Sequence, residues 1–60
     1  MTWEELKEEA KKMGADTLIR GVIRFGLFSF YMNGDVCYRG ELILQDRTEK
    51  QMLAIMKALQ

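Results

Sequence analysis

The sequence predicts an α+β chain: an N-terminal helix, an antiparallel β-meander of two or three strands, and a C-terminal helix packed on the sheet. Three observations carry this expectation. Both ends show apolar residues at helical spacing behind a threonine. The stretch between them is rich in Ile, Val, Phe, Tyr and Leu and contains Asn33-Gly34, the strongest hairpin signal in the chain. No proline and only five glycines occur, so no linker is visible and residues 1–60 read as a single domain.

The first helix follows from local chemistry. Trp3, Leu6, Ala10 and Met13 form one apolar stripe at spacings of three and four. Thr2 stands at the N-cap, and Glu5, three residues on, completes a capping box. Glu4, Glu5, Glu8 and Glu9 crowd the N-terminal half while Lys11 and Lys12 close the other end, as the helix dipole favours. Glu8 is expected to pair with Lys11 or Lys12, and Gly14 to stop the helix.

The meander is read from two turns. Asn33-Gly34 marks a two-residue hairpin, and Phe25-Gly26 is a weaker second turn, giving strands at about 17–24, 27–32 and 35–44. Tyr31 then faces Val36, Phe30 faces Cys37, Ile23 faces Phe28, and Phe30 covers Gly21. Side chains alternate along each strand. One face would hold Ile19, Ile23, Phe28, Phe30, Met32 and Cys37, wholly apolar and covered by the helices. The other would hold Leu18, Arg20, Val22, Arg24, Leu27, Ser29, Tyr31, Val36 and Tyr38. A bulge at Gly40 would exchange the residues after it between faces. The rival reading is one long strand over 17–32 pairing only with 35–44, a hairpin that needs a partner chain to complete its sheet.

The last helix starts at Thr48 with Gln51 in the capping-box position, or two residues earlier with Asp46 and Glu49. Met52, Leu53, Ile55, Met56 and Leu59 make an apolar face broader than that of the first helix. Such a face can touch both the sheet and a second surface.

Composition removes several function classes. The chain has no histidine, so it offers no imidazole base, no serine–histidine pair and no histidine metal ligand. Its one cysteine, Cys37, has no partner for a disulfide or zinc site and reads as a small buried hydrophobe. No glycine-rich phosphate loop is present. No apolar run approaches the roughly 18 residues of a membrane span. A free thiol without a secretory leader fits a cytoplasmic protein. The expectation is a non-enzyme without cofactor, metal or membrane contact.

Sixty residues bury only about 60% of their unfolded surface, so the core is small and oligomerisation is the remaining means of stabilising it. Nine bases balance nine acids, but residues 17–40 hold three arginines against one aspartate. The expected contact set is Arg20, Arg24, Tyr31 and Tyr38 on the outward sheet face, with Met52 and Met56 as a second surface. Tyrosine and arginine are enriched at interfaces, and aliphatics left on one face would form an exposed patch. The function expected is a small protein-interaction module that pairs with itself or another protein. The alternative is single-stranded nucleic-acid binding, with bases stacked on the tyrosines between arginines. Neutral net charge and the absence of a basic run weigh against it.

Thr2-Trp3-Glu4-Glu5-Leu6, Asn33-Gly34-Asp35-Val36 and Asp46-Arg47-Thr48 leading into Gln51-Met52-Leu53-Ala54-Ile55 together resemble small uncharacterised proteins of Gram-positive bacteria and their phages. The resemblance implies a short helix–sheet–helix protein and brings no activity or site residues with it.

Overall fold

A computed structural model describes all residues, 1–60. Its elements are α1 (Trp3–Lys12), β1 (Val22–Phe25), β2 (Phe28–Tyr31), β3 (Val36–Tyr38), β4 (Glu41–Leu44) and α2 (Glu49–Leu59). The four strands form one antiparallel sheet in the order β1-β2-β3-β4. The expected α+β class and helix–meander–helix order hold, with one strand more than anticipated.

Both helices begin where their local sequence says. Thr2 Oγ1 accepts from Glu5 N at 3.2 Å, and Thr2 N donates to Glu5 Oε1 at 2.7 Å. Those hydrogen bonds, the one from the Thr2 backbone foremost, hold the Glu5 carboxyl below the usual carboxylate range. At α2, Thr48 Oγ1 accepts from Gln51 N at 3.1 Å and Gln51 Oε1 accepts from Thr48 N at 2.9 Å. The start at Asp46 does not form. On α1 the ion pairs are Glu4–Lys7 and Glu9–Lys12 rather than pairs from Glu8. Both are exposed i,i+3 contacts of small energetic weight.

The core is one cluster. Trp3, Leu6 and Ala10 of α1 meet Met52 and Met56 of α2 over Ile23, Phe30 and Val36 of the sheet. Leu6, Ile23, Phe30, Val36, Met52 and Met56 are fully buried. Each such side chain stabilises the fold by about 1.5–3 kcal/mol through apolar burial. Met52 and Met56 are therefore core residues, not a second contact surface. They are the part of the broad α2 face that the sheet and α1 occupy, and what remains open on that helix is Ala54, Ala58 and Leu59.

The turns differ from expectation, and so does the register. The first hairpin turns on Gly26-Leu27, so Ile23 pairs with Phe30 and Val22 with Tyr31. This moves the pairing by two residues, which leaves the β1 and β2 side chains on their expected faces, whereas Ile19 and Met32, expected on the covered face, lie outside the strands and are about half exposed. Phe30 therefore covers Ile23 and not Gly21. Residues 17–21 form no strand. Asp16 makes an isolated bridge to Arg24, with N···O distances of 2.8 and 2.9 Å. Arg20 lies in the exposed bend that follows, outside the sheet.

The second hairpin departs further. Gly34 N donates to Tyr31 O and Tyr31 N to Asp35 O, both at 2.9 Å, which closes a three-residue loop over Met32, Asn33 and Gly34. Gly34 takes φ +94° and supplies the left-handed residue that such a loop requires. Asn33 keeps a negative φ, and its Oδ1 accepts from Asp35 N at 3.0 Å. The extra loop residue pairs Phe30 with Val36 and Ser29 with Cys37, turning β3 over relative to a two-residue hairpin. Val36 becomes core, Tyr38 joins the helix side, and Cys37 moves to the other face. The physical gain is burial of a branched aliphatic in place of a thiol.

The strand expected over 35–44 is two strands joined by Arg39-Gly40, both at positive φ. A bulge lies between β3 and β4, but at Val36/Cys37 rather than at Gly40.

Candidate functional site

Alternation sorts the sheet into two faces. The helix side carries the row Ile23, Phe30, Val36, Leu44 and the row Phe25, Phe28, Tyr38, Glu41. The other side carries Arg24, Ser29, Cys37 and Leu42 across all four strands, with Val22 beside Tyr31 in the next row. Both helices pack on the first side, within the single core cluster. No helix packs on the second side.

That open face divides into two halves. Its β1–β2 half is a groove of about 410 Å³, with Arg24, Ser29 and Tyr31 along it and Arg39 at its rim. Ile19 and Leu27 stand at its two ends, each about half exposed. Its β3–β4 half carries Cys37 and Leu42, while Leu44 and Glu41 belong to the helix-side rows. All four residues of β4 are exposed, among them Leu42, Ile43 and Leu44 in succession at 47%, 46% and 37%. As the outer strand, β4 also presents unpaired backbone groups along its free edge. The opposite edge is protected at its centre, where Asp16 occupies the backbone of Arg24.

Of the residues expected to make contacts, Arg24 and Tyr31 share the open face as anticipated. Arg20 is exposed in the preceding bend. Tyr38 sits on the helix side, its ring 4.7 Å from that of Phe28, with Arg39 Cζ 5.6 Å above it. Together with Phe25, Leu27 and Leu59 these two rings line an apolar cleft of about 430 Å³ at the end of α2. Met52 and Met56 are enclosed. Sequence reasoning missed Arg39, Cys37 and Leu42. The signal for Arg39 was its place beside Gly40. The other two depended on the register of β3, which no local motif announces.

The chain holds no group of three or more His, Cys, Asp or Glu that could bind a metal ion, and no helix is long and apolar enough to cross a membrane. No family model matches the chain, and no curated protein or solved structure matches it either. The fold and surface define an α+β chain with two helices on one side of a four-stranded meander and an uncovered sheet face opposite.

Proposed function

We propose that this chain is a non-catalytic protein-interaction module of the cytoplasm that associates with a second copy of itself through its exposed aliphatic edge strand β4 and the adjoining part of the open sheet face. One observation carries the reading: Leu42, Ile43 and Leu44 stand exposed in succession on an edge strand, beside a face no helix covers. Chains that stay alone seldom expose such contiguous apolar surface, and a short chain gains burial by pairing. The absence of histidine and the spread of carboxylates along the exposed side of α1 support a binding role over a catalytic one. The lone thiol fits a reducing compartment.

Single-stranded nucleic-acid binding is the second reading, favoured by Arg24 and Tyr31 sharing the open face. With Tyr38 on the other side, that face offers one ring, whereas strand binders stack successive bases on several.

Absolute mass by light scattering over a dilution series, at low and high salt, tests the proposal. Association through aliphatic contacts gives a mass above 7.0 kDa at both salts, and Leu42→Glu returns it to the monomer. A monomer at every concentration overturns self-association. Binding of an oligothymidylate that weakens steeply with salt supports the second reading.

A further inference from the structure

The β1–β2 half of the open face differs in kind from the uncharged half beside it, which carries Cys37 and Leu42. Its charges are Arg24 and Arg39, and no aspartate or glutamate lines it. Neither arginine belongs to an ion pair; the chain's two pairs, Glu4–Lys7 and Glu9–Lys12, both lie on α1. Since the chain as a whole is neutral, the balancing carboxylates lie outside the groove lining: Glu4, Glu5 and Glu8 exposed on α1, and Asp16, Glu41 and Asp46 exposed elsewhere. The groove is therefore a cationic strip on a neutral molecule. Ile19 and Leu27 add apolar surface at its ends, at 52% and 54% exposure.

We infer that this groove docks an acidic segment of a partner protein, extended along β1, with carboxylates on Arg24 and Arg39 and aliphatic side chains on Ile19 and Leu27. The inference rests on reading the open face as a contact surface, and it names the chemistry of what that face receives. A guanidinium offers paired donors that match a carboxylate, and such charge-assisted bonds are among the stronger polar contacts. The three residue steps of β1 span about 10 Å, which suits four or five residues of extended chain. Ser29, across from Arg24, and Tyr31, in the next row, add hydroxyls to the groove. A second copy is a poor occupant. Its exposed acids are scattered over α1, Asp16, Glu41 and Asp46, and none forms the extended run of carboxylates that would lie along the groove. A nucleic acid would find one ring and too few cations.

The test is fluorescence anisotropy of a short labelled peptide of alternating glutamate and leucine, titrated with the intact chain. The expected result is saturable binding. Arg24→Glu should weaken it at least about tenfold, and Lys57→Glu on α2 should leave it unchanged. The matching lysine–leucine peptide should not bind. Circular dichroism of each variant establishes that it is folded. Three outcomes overturn the inference: no binding of the acidic peptide, binding indifferent to Arg24→Glu, or an oligothymidylate bound more tightly than the peptide. Light scattering on the same samples keeps the two proposals apart. A chain that self-associates but ignores the peptide loses only the docking inference, and a monomer that binds it loses only the self-association.

Discussion

The two faces of the sheet are made of the same strands, and adjacent residues have opposite fates. Phe30 is fully buried beneath both helices, while Ser29 before it and Tyr31 after it look out from the other side. Val36 is core, and Cys37 is a partly buried thiol on the open face. The comparison teaches that strand pairing holds the sheet together but only one side of it anchors the fold. Stability resides where the helices lie, and the opposite side is free to vary for contact.

Substitutions at neighbouring positions break this comparison most sharply. Phe30→Ala should cost about 3–5 kcal/mol through lost burial and the cavity left behind. That is as much as the whole stability a core of this size supplies. Ser29→Ala, one residue away, should stay within about 0.5 kcal/mol. Urea unfolding of both variants checks the contrast; a large loss at Ser29 would mean that the open face is also packed.

Gly34 governs which face β3 presents, and it is constrained twice. Its φ of +94° disfavours a side chain, and an added Cβ would lie 2.7 Å from Arg47 O and 2.9 Å from Arg47 N. Arg47 N also donates to Gly34 O at 2.9 Å, tying this loop to the start of α2. Gly34→Ala should therefore cost about 1–3 kcal/mol of backbone strain, and more from displacing residues 46–47. Thermal unfolding measures the loss. A Tm equal to that of the parent chain would contradict the three-residue loop.

The smallest effect on stability sharpens the comparison most finely. Cys37, partly accessible on the open face, should react with a thiol reagent in the dilute native state more slowly than in the unfolded chain but far faster than a core thiol would, because exposure governs access. Full protection would return Cys37 to the helix side and Val36 to the open one.

Much of the fold was legible because its causes are local. A capping box needs residues three apart, so Thr2 with Glu5 and Thr48 with Gln51 could be read directly. The stripe Trp3, Leu6, Ala10 is likewise a property of one turn after another. The contact surface was less legible. Arg24 and Tyr31 kept their face because a two-residue shift in pairing preserves side-chain parity. Tyr38 and Cys37 exchanged faces because one extra loop residue reverses it. At Arg39-Gly40 only the glycine signals a break, read as a bulge rather than a turn, because an arginine at φ +52° is uncommon.

By itself, then, the sequence determined both helices, the starting point of the first and two candidates for that of the second, the existence of a meander between them and the lack of histidine. Tertiary structure decided the number of strands, the side of the sheet that each β3 residue faces, and the enclosure of Met52 and Met56. The reason is that Asn33-Gly34 accommodates either a two-residue or a three-residue loop at similar local energy. The choice falls to contacts distant in the chain: Val36 against Phe30 and both helices, and Gly34 against the backbone of Arg47.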